Sequence, residues 1–91
     1  MSNEKETRTE VLERLQYEAE NELGEIQQKY ERELKELTKS TAKARESAKD
    51  FNELDKVHRH FEWEIKQVEK RHNEDCRELQ RRFFEKMKAL L

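Results

Sequence analysis

The sequence predicts an all-α protein, an antiparallel coiled coil made from one long helix. Charged residues form 46% of the chain, hydrophobic residues form only 32%, and there is one Gly and no Pro. Such a composition is typical of a coiled coil or of a disordered chain. Apolar or small residues recur every three or four positions from Leu12 to Leu90. Because disordered chains lack such a stripe, the pattern favours the coiled coil.

The predicted contact stripe, called the seam below, follows one side of the helix along most of the chain. Its members are Leu12, Leu15, Ala19, Leu23, Ile26, Tyr30, Leu34, Leu37, Thr41, Ala44, Ala48, Phe51, Leu54, His58, Phe61, Ile65, Val68, His72, Cys76, Leu79, Phe83, Met87 and Leu90. Ala19 and Thr41 are weak members, and Val57 is an alternative to His58. The stripe is narrow, which favours packing of two helices over a thicker bundle.

The seam mixes two periods. An eleven-residue (hendecad) repeat covers the first arm and the stretch from Ile65 to Leu90, and heptad spacing lies between them. Hendecads favour straight or slightly right-handed pairs and heptads favour left-handed pairs, so we expect a rod with weak net supercoil. This layout about a central dyad resembles in outline the antiparallel coiled coils of tripartite-motif proteins. The resemblance is one of fold and carries no site residues or activity.

The charge distribution favours antiparallel pairing. Residues 1–25 hold eight acidic and three basic side chains, and residues 65–91 hold five and eight. Residues 26–49 are net basic and residues 50–64 are net acidic. A parallel pair would place each block against its own sign, whereas an antiparallel pair places opposite signs together. Each exposed pair contributes only about 0.2–1 kcal/mol, but many pairs of one sense can select an orientation.

The steps along the seam read the same from either end. Pairing positions whose numbers sum to 102 places Leu12 opposite Leu90, Tyr30 opposite His72, and Phe51 opposite its own copy. Large residues then repeatedly face small ones, as dense packing requires. A helical hairpin and an antiparallel homodimer both satisfy this pairing.

The stretch 40–51 decides between the two arrangements. It contains no Gly or Pro and keeps the seam in phase, so we predict a continuous helix that forms a homodimer. The predicted organisation is a flexible tail over 1–8 and a coiled-coil helix over 9–91, with a pseudo-dyad near Phe51. The alternative is a hairpin turn, supported by the capping-box pattern Asp50-Phe51-Asn52-Glu53. A second such pattern starts at Thr7.

No catalytic, cofactor or metal residues are predicted. His72 and Cys76 have a spacing that can chelate zinc, but a tetrahedral site needs two further ligands, and the antiparallel partners Tyr30 and Ile26 do not supply them. We interpret His72 with Tyr30 as a polar pair in the seam. Because a rod has no concave pocket to enclose a substrate, we expect no enzymatic activity and no small-molecule substrate.

The predicted partner surface consists of residues off the seam: Trp63, Tyr17, Phe84, Arg81 and Arg82. Exposed aromatic residues are candidate hot spots for protein binding. Interleaved acidic and basic residues and a net charge of -2 argue against a nucleic acid partner. The longest apolar run is the terminal 89–91, which predicts no membrane span. We therefore expect a soluble, cytoplasmic protein.

The predicted function is that of a structural or adaptor rod. It would associate with itself in antiparallel fashion and space or scaffold other proteins, which we expect to be helical. One alternative is a monomeric hairpin that binds within a larger assembly. The other is a basic amphipathic C-terminal helix over 77–91 that docks on an anionic membrane surface or on an acidic, calmodulin-like partner.

Overall fold

Two long antiparallel helices form the molecule. The computed structural model describes residues 7–90, in which α1 runs over Arg8–Ser47 and α2 over Phe51–Lys88. The principal extents are 74 × 21 × 12 Å, the dimensions of a single layer of two helices. The end of the rod that contains Arg8 and Lys88 is called the base, and the end at residues 48–50 is called the tip.

The start of α1 follows the predicted capping box. The Thr7 hydroxyl accepts a hydrogen bond from the Glu10 amide at 3.1 Å, and the Glu10 carboxylate accepts one from the Thr7 amide at 3.3 Å. Together they satisfy amide donors that the first helical turn leaves without partners. The helix thus starts at Arg8, one residue before the predicted boundary at residue 9. Most of the predicted tail, residues 1–6, and the predicted end at Leu91 lie outside the described residues.

The prediction of one continuous helix through the middle of the chain is wrong. The first helix ends at Ser47, and Ala48 and Asp50 both have extended backbone, with ψ of 128° and 177°. The chain therefore reverses over residues 48–50 and pairs its two halves with each other. Closing a hairpin satisfies the seam within one chain, where the effective concentration of the second helix is high. The spacing of apolar residues along the sequence does not reveal this advantage.

Local capping explains where the break falls. The Asp50 carboxylate accepts a hydrogen bond from the Glu53 amide at 2.9 Å, and the Glu53 carboxylate accepts one from the Lys49 amide at 2.7 Å. The placement of Phe51 in the seam is wrong as a consequence. As the first residue of α2 it lies at the tip and is 79% exposed.

The rest of the predicted seam lies between the two helices, unevenly buried. Leu15, Leu37, Val68 and Leu79 are buried with Thr41, and most other members are half-buried. Leu12 and Leu23 remain 36% and 37% exposed. Of the two alternative seam members Val57 and His58, Val57 is half-buried and His58 is exposed, so Val57 belongs to the seam.

The register follows the predicted rule that paired positions sum to 102. Tyr30 stacks on His72 with ring centroids 4.3 Å apart, and these are partners under that rule. The thin rod leaves much of the chain accessible, 7681 Å². A compact globule of this mass would expose roughly 5,700 Å². Stability therefore comes from one line of contacts along the rod, without a thick core.

Candidate functional site

Ion pairs cross one face of the base half. Glu22 contacts Arg82 at 3.1 Å, Lys29 contacts Asp75 at 3.8 Å, and Glu33 contacts Arg71 at 2.9 Å. They join α1 to α2 beside the seam. Of the three, only Glu22–Arg82 joins the acidic block 1–25 to the basic block 65–91, whereas Lys29 and Glu33 belong to the block 26–49, which the charge pattern pairs with 50–64. Exposed ion pairs add little stability, so their main effect is on register and orientation.

His72 lies at the inner end of this half, near the middle of the rod. Its ring stacks on the Tyr30 ring, and its Nε2 lies 3.8 Å from the Cys76 sulfur. Its buried Nδ1 has no hydrogen-bond partner among the described residues. No group of three or more potential metal ligands occurs in residues 7–90. His72 and Cys76 therefore provide two donors on one helix, with Tyr30 and apolar side chains across the seam.

The residues of the predicted partner surface are not brought together into one patch. Tyr17 is 66% exposed and belongs to α1, whereas Trp63 and Phe84, 58% and 60% exposed, belong to α2. Arg82 is half-buried and contacts Glu22 across the helices. The Arg81 guanidinium is exposed on the far side of α2 from the seam.

Arg81 forms the strongest local charge cluster. Its guanidinium donates to both Glu78 carboxylate oxygens at 2.6 and 3.1 Å and to Glu85 at 3.0 Å. The hydrogen bonds from Arg81 lower the pKa of Glu78 below its ordinary value. The same contacts raise the pKa of Arg81 further above its already high value.

The apolar face predicted for the C-terminal segment is largely covered by α1. Leu79 is buried, and Phe83 and Met87 are half-buried in the hairpin, so among the large apolar side chains of the described residues 77–90 only Phe84 remains mostly exposed. Within the described part of the chain, neither helix has a segment long and apolar enough to cross a bilayer.

A groove near the tip is a feature that the sequence reading missed. It has a volume of about 380 Å³ and is lined by Leu37, Ser40, Thr41, Ala44, Lys56, Val57, His60 and Glu64. The cause is visible in the sequence: Ser40 and Thr41 in one turn of α1 and Ala44 in the next are small, and they leave space that longer side chains would fill.

The groove contains a hydroxyl, an imidazole and a carboxylate, the residue types of a hydrolytic triad. The Ser40 hydroxyl, however, donates to the Leu37 carbonyl oxygen at 3.1 Å, and His60 Nε2 contacts the Glu64 carboxylate at 2.6 Å. The hydroxyl is thus engaged by its own helix, and the imidazole is engaged by a neighbour one turn away. The arrangement is that of two local helix-surface contacts.

Comparison with protein-family models, with curated proteins and with solved structures finds no match to this chain. The function has to be argued from the surfaces of the hairpin.

Proposed function

We propose that this chain is a non-enzymatic helical-hairpin module that scaffolds protein partners. The observation that carries the proposal is the break at residues 48–50, which returns the chain to its starting point and places Arg8 and Lys88 at the same end of a 74 Å rod. Such a rod separates what binds at its base from what binds at its tip by several tens of ångströms, and both helices present continuous exposed faces along the way.

The first test is the mass in solution. Sedimentation equilibrium at micromolar concentration should give a mass near 11.2 kDa, the mass of one chain. A mass near twice that value would contradict the hairpin as the resting form. The measurement also shows directly whether the chain associates with itself.

The second test locates the contact between the helices. Spin labels at the exposed positions Ser40 and Glu62, introduced in a Cys76→Ser background, should couple at the short distance of two packed helices, about 10 Å. Dilution with unlabelled chain should leave the coupling unchanged, because both labels belong to one molecule. Loss of the coupling on dilution would place the contact between chains.

A second candidate function is antiparallel self-association, which the seam itself favours. Because the pairing reads the same from either end, a chain that straightens at residues 48–50 can make with a second copy the contacts that it now makes with itself. Exchange of this kind is a known route from hairpins to dimers. The two forms would then differ mainly in the backbone and caps at the tip.

The cap at the tip provides the test of this second candidate. Asp50→Ala removes the acceptor of the Glu53 amide, so each hairpin should lose about 0.5–2 kcal/mol. Because two hairpins form one dimer, the dimerisation constant should rise roughly 5- to 900-fold. Asn52→Ala is the matched control, an exposed residue two positions away that should leave the mass unchanged. If both variants remain single chains at all concentrations, self-association is excluded.

A further inference from the structure

The outer face of α2 contains a row of exposed basic and aromatic side chains that the hairpin leaves uncovered. Trp63 lies two residues from both Phe61 and Ile65 of the seam, which is about 200° around the helix. From Trp63 the row continues along the same side at helical spacing. We define the outer stripe as Trp63, Lys66, Lys70, Arg77, Arg81 and Phe84, all of them exposed.

The charge of the outer stripe is of one sign. Asn73 lies between Lys70 and Arg77 in this row, and the adjacent Glu74, one turn from both, forms no ion pair with either of them. Arg81 is held by its neighbours Glu78 and Glu85. In the described part of the chain, no carboxylate lies within ion-pair distance of Lys66, Lys70 or Arg77.

The basic residues next to the seam behave differently. Arg71 and Arg82 each contact a carboxylate of α1, at 2.9 and 3.1 Å. The hairpin thus uses its inward-facing cations for its own register, while the outward-facing cations of the middle of α2 have no acidic partner within residues 7–90. The unmatched positive charge lies along a line parallel to the rod.

Aromatic side chains stand at the two ends of this line. Trp63 and Phe84 are 21 positions apart, about 31 Å along the helix. Trp63 packs beside the His60 ring with centroids 6.2 Å apart, and the Lys88 ammonium lies 5.7 Å from the Phe84 ring. Both keep more than half of their surface accessible, so each can still bury a large area against a partner.

We propose that the outer stripe binds an acidic α-helix of another protein, which lies along α2 as a third helix of the rod. This inference rests on the hairpin form proposed above and adds the surface and the class of partner. A helical partner fits because its own side chains recur every three or four residues, the spacing of the stripe. Its chemistry is a row of carboxylates between two apolar residues about 31 Å apart.

Two other partners fit the stripe less well. A bilayer surface requires a continuous apolar face, and here the two aromatic residues are separated by about 31 Å of cationic surface. A nucleic acid would bring phosphates close to the exposed carboxylates Glu62, Glu69 and Glu74, which flank the stripe. A narrow helix contacts only the central row and can place basic residues of its own against those carboxylates.

Fluorescence of Trp63, the single Trp of the chain, gives a direct measurement. The probe is a synthetic helix of about 30 residues with a glutamate row, flanking lysines and two leucines spaced to meet Trp63 and Phe84. We expect a saturable blue shift of the emission. A probe whose glutamates are replaced by glutamine should bind at least about fivefold more weakly.

Charge-reversal variants then locate the surface. Lys70→Glu with Arg77→Glu should weaken binding of the acidic probe by roughly 3- to 30-fold. The matched control, Lys35→Glu with Lys39→Glu, changes the same net charge at exposed positions of α1 and should alter binding by less than about twofold. Phe84→Ala should weaken binding about fivefold or more.

The proposal is overturned if the acidic probe does not bind at millimolar concentration, or if the two pairs of variants weaken binding equally. It is also overturned if the chain binds phosphatidylserine vesicles or a single-stranded RNA oligonucleotide more tightly than the probe. Sedimentation of the unbound chain separates this failure from that of the hairpin. A doubled mass would overturn the hairpin while leaving the stripe exposed and testable, and a single-chain mass without probe binding would overturn the stripe alone.

Discussion

The base half and the tip half of the hairpin share one seam but are held together differently. In the base half, residues 8–33 and 71–88, Leu15 and Leu79 are buried, and three ion pairs cross between the helices. In the tip half, α1 contributes Thr41 and Ala44, and a groove of about 380 Å³ opens beside them. Among the described residues of the tip half, no ion pair joins the two helices.

The register of the two helices and the closure of the hairpin therefore depend on different parts of the rod. The base half supplies the charge and size complementarity that fix which residues meet. The tip half supplies a capped reversal and buries Leu37, Thr41 and Val68, but the groove leaves part of its interface open to water, so local opening should begin beside the groove. The variants below test this division, from the largest expected effect to the smallest.

Truncation of a buried leucine should cost more in the base half than in the tip half. Leu79→Ala should lower the free energy of unfolding by about 2–5 kcal/mol, because it leaves a cavity that the helices cannot fill. Leu37→Ala, the matched variant at similar burial, should lie at the lower end of that range, because Leu37 borders the open groove and its loss enlarges a wet space. Urea unfolding followed by circular dichroism gives both values.

Equal losses for the two alanine variants, or a larger loss for Leu37→Ala, would contradict the division into halves. Since the hairpin has few buried side chains, an alanine variant that does not fold is replaced by the corresponding Leu→Val change. The milder pair should keep the same order, with smaller steps.

Filling the groove should strengthen the tip half. Ala44→Leu adds three carbons at the edge of the groove, which should raise the free energy of unfolding by about 1–2 kcal/mol at about 0.8 kcal/mol per buried methylene. Ala42→Leu places the same side chain at an exposed position of the same helix and should leave stability nearly unchanged. If the two variants are equally stabilised, helix propensity rather than the groove is responsible.

The ion pairs of the base half should contribute less than its apolar contacts. A double-mutant cycle with Glu22→Gln and Arg82→Gln should give a coupling of about 0.2–1 kcal/mol, since both side chains remain accessible to water. The coupling should shrink with added salt. A coupling that is unaffected by salt would indicate a buried pair and would assign the base half a different source of stability.

The smallest effect concerns Glu78 and pH. Hydrogen bonds from Arg81 lower the folded-state pKa of Glu78, so the stability from this contact is present above the unfolded pKa and is lost as the pH falls through the folded pKa. Arg81→Gln should raise the pKa of Glu78 back toward its ordinary value. Titration of the Glu78 carboxyl carbon by NMR measures the shift, and an unchanged pKa would contradict the assigned cause.

The all-α class and the register could be predicted because both depend on spacing. Side chains three or four residues apart share one face of a helix whatever their partner, so the pattern already placed Tyr30 opposite His72. Opposite charge blocks then selected the antiparallel sense. Neither inference required knowledge of how the chain closes.

The break at the tip could not be predicted from the same pattern. Residues 40–51 keep the seam in phase and consist mostly of good helix formers, so periodicity and helix propensity both favour a continuous helix. The decision depends on the Asp50 cap and on the entropic advantage of pairing within one chain. The groove was missed because small seam residues opposite large ones were interpreted as dense packing, whereas the structure leaves space beside Thr41 and Ala44.

The shared location of Arg8 and Lys88 has a further consequence. Two packed helices lie about 8–10 Å apart, a distance that the two ends of an ordinary surface loop also span. The hairpin can therefore be inserted into a loop of an unrelated host protein without pulling the host apart, and residues 48–50 become a mounting point held about 60 Å from the host surface by the length of the helices. A rod of this kind is a transferable spacer. Its length can be changed by eleven-residue units in both helices without altering which helix faces pack together.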